Sequence, residues 1–310
     1  MNMKEFLFKN MDNYILIQDN QLISSNLTDG IEIIIKETVI NININNQLKK
    51  INLQVVYNNL NNTYGNLKYN INKLSKVEII ESHQFHQSIN FERTVEIEDN
   101  AEVNFLSLNE GFELIKAQIN EQWIIHKNVV LNSSYSELSD CDIEAKYHYN
   151  LVGDSSKTYL KMAALSQNKQ RKKYQIALKH KATNTYGKMD NYGVAKHQSH
   201  LYFEGIGKIN KDMHLSETHQ TSKIIVFDKE CNADVNPLLL IDNYDVKASH
   251  AAGVGKIDPE QLYYLQSRGL SKKSAMHLIT IGYLLPVVDS INNESIKDYF
   301  IEMMEKKVGG

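Results

Sequence analysis

Histidine and cysteine are the side chains of this sequence best suited to metal or nucleophilic chemistry, and both are sparse: His 11 and Cys 2 in 310 residues. Cys141 lies in Ser139-Asp140-Cys141-Asp142, where flanking carboxylates raise a thiol pKa and predict an inert group. Cys231 follows Glu230 at the end of the apolar run Ile224–Phe227, and the same argument applies. The pairs His83-x-x-His86 and His197-x-x-His200 have helical spacing but sit in strand-like or loop sequence. There the two rings point to different faces, which predicts surface histidines rather than a shared metal. Lys169, Arg171, Lys172 and Lys173 form a basic turn expected to be solvated. Gly253-Val-Gly255-Lys256 runs on into Ile257 and lacks the earlier glycine of a phosphate loop. No H-E-x-x-H, G-x-S-x-G or C-x-x-C occurs. Asp140/Asp142 and Glu96/Glu98 are the obvious acid pairs for sugar hydrolysis, but alternating acids on a strand ordinarily mark a solvated face. His250 taken alone is an ordinary surface or hydrogen-bonded imidazole.

The elements that must carry these residues are mainly β. From Gly30 to about Phe227 the apolar period is two, as in Ile31/Ile33/Ile35 and Ile40/Ile42/Ile44. Later short β-branched and aromatic runs include Ile51–Tyr57, Ile89–Leu108, Ile143–Leu151, Tyr174–Leu178 and Leu201–Ile209. Asn-Gly and Asp-Gly turns are nearly absent, so corner-turning coils of a β-solenoid fit better than a meander of hairpins. An alternating strand is expected from Leu238 to Ser249, with a turn at Gly253/Gly255 after His250. Beyond it, Asp258-Pro259-Glu260 starts a helix that stops at Gly269. Ser271 caps a second helix reaching Leu284, and Asn293/Glu294 open a third that ends before Gly309. The expected organisation is an N-terminal segment 1–29, a β core 30–257 and a helical region 258–310.

Composition limits the partners. Lys+Arg 34 against Asp+Glu 37 gives a net charge of −3, which argues against nucleic acid or an anionic membrane as ligand. The longest apolar stretch, His277 to Val288, is too short to span a bilayer, and Lys4, Glu5, Lys9 and Asp12 interrupt any secretory core. Two cysteines suit a reducing cytoplasm.

One segment is more specific than composition. Ala233-x-x-x-Pro237 precedes an apolar strand and then the block Asp245-Val-Lys-Ala-Ser-His-Ala-Ala-Gly-Val-Gly-Lys-Ile-Asp258, followed by Leu262-Tyr-Tyr-Leu265 and Ser267-Arg-Gly269. In order and spacing it resembles the SufB/SufD family of iron–sulfur cluster assembly scaffolds. His180-Lys-Ala-Thr-Asn-Thr185, Phe203-Glu-Gly-Ile-Gly-Lys-Ile209 and Gln220-Thr221 extend the resemblance weakly upstream. The resemblance implies a right-handed parallel β-helix core with a small C-terminal helical region. It also implies a pair of SufB-type and SufD-type subunits, two copies of the ABC-type ATPase SufC, and a transient cluster built at the pair's interface. No stably bound cofactor and no turnover by this chain itself are expected. Ala251 stands where the SufB type has a carboxylate, and Ser222 falls near its upstream scaffold thiol, which favours the SufD type. The resemblance then implies that His250 is the cluster-assembly residue at the interface and an iron ligand shared with the partner subunit. Cys231 keeps a secondary role open. Leu262, Leu265, Arg268, Gly269 and Met276, with Leu270, Ile279 and Tyr283, are expected in the ATPase dock, and removing everything after Asp258 should leave the β core intact. A β-helix carbohydrate-active enzyme and a homodimeric structural solenoid are the competing classes.

Overall fold

The computed structural model describes residues 7–8, 11–47, 49–112, 114–288 and 294–308. One ten-stranded sheet runs in spatial order β2 (Gln21–Asn26), β1 (Asn13–Gln18), β5 (Ile51–Asn59), β7 (Lys76–Phe85), β9 (Glu102–Gly111), β11 (Val130–Glu137), β13 (Lys157–Ser166), β15 (Tyr186–Ala195), β17 (Glu217–Val226) and β19 (Lys247–Lys256). The nine-stranded sheet runs β3 (Ile31–Lys36), β4 (Val39–Ile44), β6 (Tyr64–Ile71), β8 (Ile89–Ile97), β10 (Lys116–Ile125), β12 (Asp142–Leu151), β14 (Arg171–His180), β16 (His200–Ile209) and β18 (Asn232–Ile241). Only the pairs β1/β2 and β3/β4 are antiparallel among the described residues. Successive later strands alternate between the sheets, which makes a β-solenoid of about 8 turns. Two strands, β1 and β2, precede Gly30 and extend the first sheet.

The corners explain the missing hairpin signals. Leu74, Asn100, Asn128, Ser155, Asn184 and Leu215 all adopt positive φ, one per coil along one edge. Asparagine tolerates this conformation better than most residues. Its amide can then bond the preceding coil: Asn128 donates to Asn100 at 3.0 Å, and within the strands Asn132 of β11 likewise donates to Asn104 of β9 at 2.9 Å.

The lumen is apolar for most of its length, with Trp123 stacked on Tyr149 at 5.3 Å, but it also holds charge. Arg93 forms ion pairs with Glu81 and Glu121, and Tyr135 donates to Glu121 at 2.7 Å. Burial pushes Glu81 up, yet Arg93 and His83 together outweigh it and hold the carboxyl down at about 2. His83 is therefore a core residue bonded to Glu81 and Arg93, not a surface histidine. Lys172 is also not in a solvated turn. It is the second residue of β14, on the inward phase, and its ammonium donates to the carbonyls of Ser139 and Leu165 at 2.6 Å each.

The helices follow their capping signals. α1 (Pro259–Ser267) is capped by Asp258, whose side chain accepts from the Glu260 N–H at 2.9 Å, and Gly269 takes φ +93 just beyond it. α2 (Lys272–Leu284) is capped by Ser271, and α3 is Glu294–Val308. Asn293 and Gly309, the expected bounds of the third helix, lie outside the described residues. The three helices do not form one separate unit. Phe300 and Met304 of α3, with Leu284 and Val287, bury against Ala163, Leu165 and Val194 of the first sheet and against Leu138 just after β11. Ile296 packs with Ile80, Leu106 and Leu108. Removing everything after Asp258 would uncover this strip. No helix among the described residues is long and apolar enough to cross a membrane.

Candidate functional site

The last coil is the least covered part of the solenoid. β19 pairs with β17 and β18 with β16, and neither has a second strand neighbour among the described residues. Every residue of β19 is exposed. The strand is Lys-Ala-Ser-His-Ala-Ala-Gly-Val-Gly-Lys: small side chains surround one imidazole. His250 lies inside β19 rather than at a strand end before a turn. Gly253 and Gly255 continue the strand, and a Cβ at either would meet nothing within 4 Å. The expected Leu238–Ser249 strand is two strands, β18 and β19, on different sheets.

Register assigns His250 to the inward phase of the pleat. It is paired with Gln220, which is paired with Met189, and both of those are buried in the lumen. The imidazole thus continues a lumen column one coil beyond the last closed turn. Gln220 beneath it donates to the Leu238 carbonyl at 2.9 Å, while its Oε1 has no hydrogen-bond partner. Gly205 and Gly207 leave room for that amide, since a Cβ at either would come within 2.7 Å of it. Ser222, two residues along, is also inward and accepts from Asn191 Nδ2 at 3.0 Å. The Thr218-x-Gln220-x-Ser222 alternation carried the signal for this polar floor, although polar residues on the buried phase do not look like a strand core.

A second imidazole flanks the first on the opposite face. His219 bonds Ser249 Oγ at 2.7 Å through Nδ1 and stands 3.6 Å from Glu217 through Nε2. Among the described residues no group of three or more His, Cys, Asp and Glu is arranged to hold a metal, so His250 does not sit in a complete ligand set.

Both thiols are placed away from this face's imidazoles. Cys231 precedes β18 at a coil corner, and its Sγ donates to the His197 carbonyl at 3.4 Å. Burial raises its pKa, against the opposing backbone hydrogen bond at Asp228. Cys141 is fully buried, and a Cβ on Gly111 would lie 2.6 Å from its sulfur. Burial raises its pKa as well, against the pull of Lys172. The flanking carboxylates are engaged elsewhere: Asp140 pairs with Lys307 and Asp142 accepts from the Arg171 N–H at 2.8 Å. Glu96 and Glu98 are similarly taken by His126 and the Lys73 N–H.

The SUF system FeS cluster assembly, SufBD core domain family matches residues 56–283. The chain belongs to the SufB/SufD family. It is SufD-like: it is 34% identical over 171 residues to the iron–sulfur cluster assembly protein SufD of Bacillus subtilis, covering 55% of this chain and 39% of that protein. The SufD of Escherichia coli is 31% identical over 106 residues, 34% of this chain and 25% of that protein. A SufBD family protein of Staphylococcus epidermidis is 26% identical over 153 residues, 49% of this chain and 32% of that protein. The matched stretch thus spans well under half the length of each of these relatives. The SufBD core match ends inside α2, so it includes the open coil with His250 and the whole of α1.

The expected ATPase dock is spread over α1 and the start of α2. Leu262, Leu265 and Met276 are half-buried, Gly269 forms the exposed turn, and Arg268 stacks over Tyr264 at 5.2 Å. Tyr263 at 75% and Leu278 at 50% exposure, neither among the expected dock residues, are also open to a partner here, as is Tyr264 at 55%. α1 buries no residue at all.

Proposed function

We propose that this chain is the SufD-type subunit of an iron–sulfur cluster assembly scaffold. It pairs through its open last coil with a SufB-type subunit, and α1 with the start of α2 docks the SufC ATPase. The cluster is cargo, built at the subunit interface and handed on, in a reducing cytoplasm and without turnover by this chain. The observation that carries the proposal is a solenoid whose last strand is fully exposed and holds His250 on the lumen phase, within a matched SufBD core. An open ladder edge offers unpaired main-chain groups to another strand. Small residues around His250 let a second backbone approach, and a neutral imidazole is a good iron ligand. Completed by thiolate or carboxylate from the partner subunit, it gives a mixed ligand set that releases a cluster more readily than four thiolates.

The test is co-expression of the full chain with a SufB-type subunit and the ATPase, followed by purification through a tag on this chain and assay of iron and sulfide. Recovery of all three proteins with iron and sulfide supports the proposal. Recovery of this chain alone, or as a homodimer that excludes the SufB-type subunit, contradicts it.

A further inference from the structure

The outward face of the second sheet carries cations that no anion answers. Lys146 and His148 project from β12, Lys179 from β14 and Lys208 from β16, and Lys181 follows β14 directly. Lys179 and Lys208 are direct cross-strand neighbours. Lys179 Nζ donates to His148 Nδ1 at 2.8 Å, so an ammonium has taken an uncharged imidazole as its partner. Burial lowers the His148 pKa, and Lys179 and Lys146 lower it further. Burial likewise lowers Lys179, and the charges that add to it are Lys181 and Lys208. Among the described residues none of these lysines has an ion-pair partner, although Lys50, Lys76, Lys188 and Lys247 elsewhere on the surface do.

The surroundings select the kind of anion. β12, β14 and β16 are each paired on both sides, so their main-chain N–H groups are committed to the ladders and cannot cradle a compact phosphate. The strip is spread along a strand face rather than gathered in a cleft. On its open-coil side it meets apolar residues: Ala177 is followed in register by Ile206 and Leu238, and Lys208 by Leu240, which is half exposed. We infer that this strip docks an acidic segment of a partner protein, its carboxylates over Lys146, Lys179, Lys181 and Lys208 and its apolar side chains over Ile206 and Leu240. The inference goes beyond the scaffold role and does not depend on what His250 does.

The test uses the full chain and a labelled oligoglutamate peptide, read by fluorescence anisotropy at low salt. The expected result is binding that Lys179→Glu/Lys208→Glu weakens roughly tenfold. Lys36→Glu/Lys73→Glu makes the same change of net charge at the far end of the solenoid and should weaken it less than about twofold. Lys179→Gln/Lys208→Gln, with an unchanged melting temperature, should also weaken binding and carries the test if the charge-reversed chain does not fold. Equal losses in the two charge-reversed pairs, or no binding by the unaltered chain, would overturn the inference. Inorganic phosphate should displace the peptide no better than chloride of equal ionic strength, and stronger displacement by phosphate would mean a compact-anion site instead.

Discussion

His180 shows how a single buried group sets the pH response. Its ring lies inside the solenoid, bonds Thr185 Oγ1 at 2.7 Å through Nδ1 and leaves Nε2 without a partner. Burial holds its pKa down at about 4, against 6.5 for the free side chain. The unfolded chain therefore binds the extra proton first, so stability is full above pH 6.5 and falls as the pH drops toward 4. The loss attributable to this one group is at most about 3 kcal/mol. Urea unfolding at pH 7 and pH 4.5 should show a smaller drop for His180→Gln than for the unaltered chain, and an equal drop would contradict the assignment. Glu81 contributes in a different window, because its pKa of about 2 is depressed below 4.5. Its contribution is full above pH 4.5, the unfolded value, and is lost progressively as the pH falls from there to about 2. Arg93→Met should destabilise by about 3–5 kcal/mol, since it strands two buried carboxylates. A denaturation midpoint shifted by less than about 1 kcal/mol would mean that Glu81 and Glu121 find other partners. Neither Arg93 nor Lys172 was legible as buried. Each stands on the inward phase of its strand, yet in sequence a charged residue at such a position looks like a break in the strand.

The strands that sequence missed share that property. β11 reads Val-Leu-Asn-Ser-Ser-Tyr-Ser-Glu and β15 reads Tyr-Gly-Lys-Met-Asp-Asn-Tyr-Gly-Val-Ala, and both turn polar or glycine positions into the lumen. Ladder pairing on both sides holds them there, which local propensity cannot anticipate. The helices were legible almost to the residue because caps are local: Asp258, Ser271 and Gly269 act within their own turn. What caps do not reveal is where a helix docks. α3 covers the first sheet, whereas α1 stands off it, so the two should respond differently to mutation. Phe300→Ala should cost about 3–5 kcal/mol in global stability, measured by urea denaturation, through the cavity left against Leu138 and Leu165. Tyr263→Glu with Leu278→Glu should change the melting temperature little and abolish co-purification of the ATPase. Retained ATPase with this double variant would contradict a dock on α1 and the start of α2.

At the scale of the whole molecule, the two ends of the solenoid differ. The first coil ends on the antiparallel hairpins β1/β2 and β3/β4, whereas the last ends on two parallel strands, β18 and β19, each with one strand neighbour among the described residues. The edge strands β2 and β3 are short, 6 residues each, whereas β18 and β19 present edges of 10 residues each, a longer template for strand pairing. His250 was legible as the residue to watch only through the segment around it. Its place inside a strand, over Gln220 and on the lumen phase, came from register, which no local pattern fixes. His219, one strand away and on the outer phase, provides a built-in control: an imidazole at the same open end, facing the other way. The most direct test of the account is the iron and sulfide content of the three-protein complex, purified to equal yield, carrying His250→Ala or His219→Ala. An intact complex is expected, with cluster content cut severely by His250→Ala and nearly unchanged by His219→Ala. A His250→Ala complex that assembles fully and holds as much iron and sulfide as the unaltered one would contradict it.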